Sequence, residues 1–268
     1  MLKKLNVFIT TIIMIFILSS CSAIKSPVNI IKKPRVLENV SEIQSIESRF
    51  LSDKDRLTLA ISQKNEKSIR RVDLDGDGND EILLLYRSNE GVYDEINSYG
   101  IVILKKKKGE WYEINRIEEH SHGIDLVQYK DITGDNIPEI FIGYTFKDTL
   151  SKSMSVYSYH GGYFRIIYDT DYEDFALDDL NYDKKNELIF LDRLSDDSTV
   201  IRVLNYVDEN VNLIDEYTIN NDSYYSTMKV GNVSKNKKGI FVDFYMGINS
   251  LYTDLFILDN NKLINISE

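Results

Sequence analysis

The sequence predicts an all-β, β-propeller-like fold of about four four-stranded blades, preceded by a short helix after a signal peptide. Three observations support this prediction. An acidic loop runs directly into an apolar strand three times, and these loops begin at Asp73, Asp131 and Asp179. Their spacing of roughly 50 residues is the length of one four-stranded blade. Turn residues recur at matching places after each loop, where β-hairpins need them.

The N-terminus is typical of an exported protein. Lys3 and Lys4 precede an apolar run that ends at Leu18, and this run is shorter than the roughly 20 residues of a membrane-spanning helix. We therefore expect residues 1–20 to be a signal peptide. The segment that ends at Cys21, Leu-Ser-Ser-Cys, resembles the lipobox of bacterial lipoproteins. The resemblance implies cleavage before Cys21 and acyl chains such as palmitate on it, and hence an anchor on the extracytoplasmic face of the cell membrane. An ordinary signal peptide is the alternative.

The charge and the cysteine content exclude several classes of protein. The chain has a net charge of −11, and residues 1–20 hold two of its 32 basic residues and none of its 43 acidic ones. Such an acidic surface disfavours nucleic acid and anionic lipid as partners. Cys21 is the only cysteine, so the domain has no disulfide, thiol nucleophile or thiolate metal site. Bound cations are then a candidate means of stabilisation.

A tether and a helix are predicted before the repeats. Residues 21–38 contain two of the three prolines and are expected to lift the domain, residues 39–268, off the lipid. Ser41 and Gln44 fit a capping box, and apolar residues follow at helical spacing, which predicts a short helix. Residues 57–61 alternate between apolar and polar side chains. We expect them to form a strand that completes the last blade.

Each repeat contains four predicted strands. One strand enters the acidic loop, a second leaves it, and a tight turn joins the third strand to the fourth. The strand that leaves the loop is almost continuously apolar, as in Ile82–Leu85, which indicates burial on both faces. A β-sandwich is the alternative to a propeller, which leaves only short strand edges exposed. We place the repeats at about residues 68–120, 121–173, 174–222 and 223–268.

The first acidic loop is the best candidate for a calcium site. Calcium takes six to eight oxygen ligands in a flexible geometry, and alternate positions of the loop supply oxygens. Gly76 and Gly78 permit the tight backbone that turns these oxygens inward. An EF-hand is excluded because Leu84 stands at the twelfth position, where that motif has Glu. The predicted ligands are the side chains of Asp73, Asp75, Asp77 and Glu81 and the carbonyl of Asn79.

The pattern Asp-x-Asp-Gly-Asp-Gly-x-Asp-Glu, followed by Ile-Leu-Leu, resembles the calcium loop of FG-GAP and VCBS repeats, the integrin-alpha-like propeller blades found in many bacterial lipoproteins. The resemblance covers residues 68 to about 260 and weakens from the first repeat to the fourth. It implies an extracytoplasmic β-propeller with calcium bound inside β-hairpins, and it implies no single activity. The Phe-Gly and Gly-Ala-Pro landmarks of the family are absent.

The resemblance also implies calcium ligands in the second and third loops. The second has lost one carboxylate, and two lysines place positive charge beside the third, so we expect weaker binding there. The fourth segment, 231–239, has no carboxylate and is predicted to be a metal-free turn. One to three structural calcium ions are therefore expected, and solvated polar turns are the alternative. The implied ligands are Asp131, Thr133, Asp135, the Ile137 carbonyl and Glu139 in loop two, and Asp179, Asn181, Asp183, the Lys185 carbonyl and Glu187 in loop three.

The sequence contains no nucleophile elbow, phosphate loop or dinucleotide fingerprint. Acid pairs such as Asp169 with Asp171 permit glycosidic chemistry in principle. Aromatic residues such as Tyr112 and Tyr163 follow the turn between the third and fourth strands of their repeats. They either form a binding rim or pack between blades. We expect a non-enzymatic, lipid-anchored module that binds a protein or glycan partner. A structural subunit of an envelope complex and an extracytoplasmic polysaccharide-active enzyme are the alternatives.

Overall fold

The computed structural model describes residues 40–89, 97–146, 152–194, 198–220, 225–247 and 250–267. The predicted signal peptide, Cys21 and the tether lie outside these residues. The chain divides into two compact units, Met1–Ser48 and Arg49–Glu268. Within the described part, no helix is long and apolar enough to cross a membrane.

The predicted helix is confirmed as α1, Val40–Phe50. Glu42 lies in its first turn and Arg49 in its last turn. These charges complement the partial positive charge at the start of a helix and the partial negative charge at its end. Ile46 of the helix is buried, with 4% of its surface exposed.

The rest of the described chain is all-β and propeller-like, as predicted. Four antiparallel sheets, which we call blades one to four, follow one another along the sequence. Blade one contains β1 (Asp55–Leu57), β2 (Ile69–Val72), β3 (Glu81–Ser88), β4 (Asn97–Lys107) and β5 (Glu110–Ser121). Blade two contains β6 (Gly123–Lys130), β7 (Glu139–Thr145), β8 (Lys152–His160) and β9 (Tyr163–Tyr172). Blade three contains β10 (Asp174–Asp178), β11 (Glu187–Arg193), β12 (Thr199–Val207) and β13 (Asn210–Ile219). Blade four contains β14 (Tyr225–Ser234), β15 (Lys237–Gly247), β16 (Ser250–Asp259) and β17 (Lys262–Asn265).

The strand expected over residues 57–61 differs from the prediction. The strand is β1, which ends at Leu57 and pairs with β3 of blade one, with Asp55 opposite Ser88. It does not complete the last blade. The reason is the shortness of β2, which covers β3 only as far as Leu84 and leaves the rest of that edge for β1.

Three apolar clusters join the blades in sequence. In blades one to three, the strand that follows the acidic loop is buried on both faces, and all six residues from Glu81 to Tyr86 are buried. Successive side chains of such a strand point to opposite faces, so they reach both neighbouring layers. In blade four, Phe241 and Asp243 on β15 are only partly buried. One cluster joins blades one and two, one joins blades two and three around Phe190, and one joins blades three and four around Phe244.

The turn between the third and fourth strands has the same form in every blade. Two residues separate the strands, and both have positive φ, a conformation that matches the twist of a two-residue hairpin. Glycine adopts it readily, but three of the four turns contain other residues. The turns are Lys108-Gly109, Gly161-Gly162, Asp208-Glu209 and Asn260-Asn261.

Candidate metal centres

The three acidic loops share one backbone conformation. Positive φ occurs at the fourth and sixth positions of each loop: Gly76 (+72°) and Gly78 (+81°), Gly134 (+85°) and Asn136 (+67°), and Tyr182 (+63°) and Lys184 (+73°). The third loop keeps this shape without glycine, although side chains disfavour it. The three sequences therefore build the same turn despite their differences in composition.

The Asp at the first position organises each loop. In loop one, Asp73 Oδ1 accepts a hydrogen bond from the Gly76 N–H at 2.8 Å, and Oδ2 accepts one from the Gly78 N–H at 2.9 Å. Asp131 makes the equivalent bonds to Gly134 and Asn136 in loop two. In loop three, Asp179 accepts hydrogen bonds from the N–H groups of Asp183, at the fifth position and not the fourth, and of Lys184, at the sixth. These bonds fold each loop around its own carboxylate.

The fifth and seventh positions are linked in the same way in all three loops. The N–H groups of Asn79, Ile137 and Lys185 each donate to the carboxylate two residues earlier, at 2.8 Å. The acceptors are Asp77, Asp135 and Asp183.

The Glu at the ninth position is the buried end of each loop. Glu81, Glu139 and Glu187 are each exposed by 1% or less. One oxygen, Oε2, accepts the N–H of the second loop residue at 2.8, 2.9 and 2.7 Å respectively. The other oxygen is thereby left facing the interior of the loop. This Glu begins an inner strand of its blade, which pairs with a neighbour on each side and so positions the carboxylate.

Loop one concentrates carboxylate oxygens in a small space. Oxygens of Asp73, Asp75 and Glu81 all lie within 4.8 Å of one another, and the described residues contain no other group of three His, Cys, Asp or Glu side chains as close. The Asp75 side chain is only 9% exposed, and its Oδ1 is buried with no hydrogen-bond partner. A buried carboxylate oxygen without a partner is costly. The donor set is therefore suited to a hard cation.

Lys105 is a residue of this site that the sequence did not predict. Its Nζ lies among the carboxylates of loop one, hydrogen-bonded to Asp75, to Asp77 at 2.6 Å and to Glu81 at 3.1 Å. Burial alone would lower the pKa of Lys105, but these hydrogen bonds outweigh it and raise the pKa. The same contact lowers the pKa of Asp77. Lys105 belongs to a run of four lysines, and only the pairing of β3 with β4 distinguishes it from the others.

Neutral donors occupy the corresponding place in the other two loops. In loop two, Glu139 Oε1 accepts from the Ser158 hydroxyl at 3.0 Å and from the Thr133 hydroxyl at 3.4 Å. In loop three, the Asn181 side-chain amide donates to Glu187 Oε1 at 3.1 Å and to Asp183 Oδ2 at 3.3 Å. Thr133 and Asn181 were predicted ligands, and Ser158 was not.

Burial raises the pKa of the glutamate in every loop. Desolvation is the main cause for Glu81 and Glu139, against the opposing effect of their hydrogen bonds. For Glu187, desolvation with the nearby charges of Asp183 and Asp179 raises the pKa to about 7. A buried carboxylate without a compensating charge is costly. A cation or a proton bound to the glutamate therefore stabilises each loop.

The remaining candidates have simpler environments. The fourth segment is a hairpin turn in which Ser234 pairs with Lys237. Asp169 and Asp171 lie exposed on β9. The side chains of Tyr112 and Tyr163 are 44% and 59% exposed, which makes them available to a partner.

Comparison with known proteins identifies no family. No family model matches the chain, and no curated protein matches it. Among solved structures, the exotype rhamnogalacturonan lyase YesX is similar over 71% of this chain and 44% of its own, with 12% identity and a TM-score of 0.42.

Proposed function

We propose that this protein is a lipid-anchored, extracytoplasmic binding module whose propeller-like domain is stabilised by calcium in its acidic loops. The observation that carries the proposal is the threefold repetition of one loop, with the same backbone, the same organising Asp and the same buried Glu. Calcium is the favoured ion because the ligands are all oxygens, and calcium accepts six to eight oxygens in a flexible coordination geometry. On this basis the chain is grouped with the FG-GAP and VCBS propellers.

The proposed role of the ion is to stabilise the fold. A cation bound to the native loops and not to the unfolded chain raises the free energy of unfolding as its concentration rises above the dissociation constant. The three loops connect β2 to β3, β6 to β7 and β10 to β11, so an ion there fixes a hairpin on which the other strands of the blade assemble. The exposed Tyr112 and Tyr163 are candidates for contact with a protein or glycan partner.

The anchor is a separate part of the proposal, supported by the sequence around Cys21. Two or more acyl chains at this residue give stable membrane attachment. In cells grown with labelled palmitate, the wild-type chain should carry label in the membrane fraction, whereas Cys21→Ser should carry none. Label that persists in Cys21→Ser would contradict the assignment.

Thermal unfolding tests the calcium sites. The full chain should melt at a higher temperature in about 2 mM calcium than in EDTA, a concentration suited to weak extracellular sites. The gain should shrink in Asp131→Asn/Asp135→Asn, which keeps the loop length and removes two charges. Asp169→Asn/Asp171→Asn, which removes two exposed charges elsewhere, is the matched control and should keep the full gain. An equal melting temperature in calcium and EDTA would refute the proposal.

A further inference from the structure

Resting on the proposed function, we infer that Lys105 is a built-in cation of loop one, which a divalent ion must displace before it binds there. Lys105 thereby sets the affinity of loop one relative to loops two and three.

The position of Lys105 is defined by the pairing of the strands. In blade one, Ile82 pairs with Leu104, so the next pair toward the loop is Glu81 with Lys105. In blade two, Ile140 pairs with Tyr157, which places Ser158 opposite Glu139. The same extension in blade three, from Leu188 with Leu204, places Asn205 opposite Glu187. The residue facing the buried glutamate is therefore cationic only in blade one.

The chemistry of this residue decides whether it helps or opposes a metal ion. A serine or threonine hydroxyl and an asparagine amide each carry an oxygen with lone pairs, and rotation turns them from donors into ligands. The ammonium group has no lone pair. In loops two and three the central side chains can remain when an ion binds, but in loop one the Lys105 ammonium must leave.

The ammonium satisfies the carboxylates of loop one incompletely. It has three N–H donors, and these match its three contacts with Asp75, Asp77 and Glu81. Asp75 Oδ1 still lacks a hydrogen-bond partner. A divalent ion with six to eight coordination positions satisfies more oxygens than an ammonium does, so displacement of Lys105 is favourable at sufficient calcium concentration.

Lys105 is also able to leave. Its side chain is 14% exposed, and Nζ is held by a flexible four-carbon stem that reaches water by rotation. Strand β4 itself stays paired with β3 and β5. Loop one is therefore held by its own lysine when calcium is scarce and by calcium when it is abundant.

Calorimetric titration of the full chain in the Glu139→Gln/Glu187→Gln background isolates loop one. In that background, Lys105→Ser and Lys105→Met should bind calcium about tenfold more tightly than the variant that keeps Lys105, because a neighbouring like charge is removed. Lys107→Ser, an exposed lysine on the same strand, is the matched control for the change in net charge and should bind as before. Adding Glu81→Gln to Lys105→Ser should abolish the gain.

Two outcomes separate this inference from the proposed function. If calcium binds with the same affinity in Lys105→Ser, Lys105→Met and Lys107→Ser, the role of Lys105 is refuted and the calcium sites stand. If neither the wild-type chain nor any Lys105 variant binds calcium, both are refuted.

A second measurement uses the wild-type sequence and does not depend on the folding of variants. Acetylation of lysines by a water-soluble reagent, followed by mass spectrometry, reports how accessible each Nζ is. Calcium should increase the acetylation rate of Lys105 several-fold and leave that of Lys107 unchanged. An unchanged or reduced rate at Lys105, under conditions where calcium raises the melting temperature, would contradict displacement.

Discussion

At the scale of single residues, Glu187 links stability to pH. Its pKa is about 7 in the folded protein and 4.5 in its ordinary state, so the folded state binds more protons between these values. In EDTA, the free energy of unfolding should therefore fall as the pH rises from about 4.5 to about 7, by up to about 3 kcal/mol from this group. Glu187→Gln should lose this part of the dependence. Urea unfolding at pH 5 and pH 8 measures the free energy of unfolding of both proteins. An equal change between the two pH values in Glu187→Gln and in the wild type would refute the role of Glu187.

Gly143 is needed because the Tyr172 hydroxyl occupies the space where a side chain would lie. A Cβ at position 143 would lie 2.1 Å from that oxygen. The hydroxyl donates a 2.7 Å hydrogen bond to Asp125 Oδ2, and Tyr172 is fully buried. Gly143→Ala should therefore destabilise the protein by about 1–3 kcal/mol.

A double-mutant cycle tests the cause of this effect. Tyr172→Phe removes the oxygen that clashes, so Gly143→Ala should cost less in the Tyr172→Phe background than in the wild type. Urea unfolding of the four proteins gives the coupling free energy. Purely additive effects would show that the hydroxyl is not the obstacle.

At the scale of single elements, the hairpin turn of blade three contains a removable strain. Glu209 has a φ of +64°, which a residue with a side chain adopts at a cost and glycine does not. Glu209→Gly should raise the free energy of unfolding by about 1 kcal/mol. Glu119→Gly makes the same change within the paired strand β5, opposite Tyr99, and should lower the free energy of unfolding by a similar amount. Denaturant unfolding distinguishes the two, and a loss of stability at position 209 would contradict the turn assignment.

The elements also show which features a sequence can and cannot specify. Lys108-Gly109 and Asn260-Asn261 predicted tight turns because turn chemistry is local, and the Asp and Glu spacing located the loops for the same reason. The pairing of β1 with β3 was not predictable, because it depends on how far β2 covers its neighbour. Lys105 was missed because it lies on β4 and contacts Glu81 on the neighbouring strand β3, 24 residues earlier in the sequence. The pairing register of β3 with β4 places Lys105 beside Glu81. The run of four lysines in the sequence does not indicate which of the four occupies that place.

At the scale of the whole propeller-like unit, the blades are joined in series by three apolar clusters. The middle cluster contains Phe190, whose ring lies 4.9 Å from that of Phe175 and 6.4 Å from that of Tyr172. Phe190 is fully buried. It therefore couples the first two blades to the last two. In chains built from stacked repeats, cooperativity depends on such interfaces between neighbours.

Phe190→Ala should consequently divide the unfolding of the protein into two steps. Loss of the ring costs about 3–5 kcal/mol, and this loss falls on the interface that makes the two halves unfold together. Trp111, the single tryptophan, lies in blade one, so its fluorescence reports the first half, whereas far-UV circular dichroism reports all four blades. In Phe190→Ala the two signals should have separate midpoints in urea.

Phe244→Ala is the control, because it removes an equally buried ring from the junction of blades three and four. In this variant the midpoint of the tryptophan fluorescence should stay near that of the wild type, while the circular dichroism should change at a lower urea concentration. If both signals coincide in both variants, the four blades unfold as one unit, and the middle cluster is not the junction that we infer.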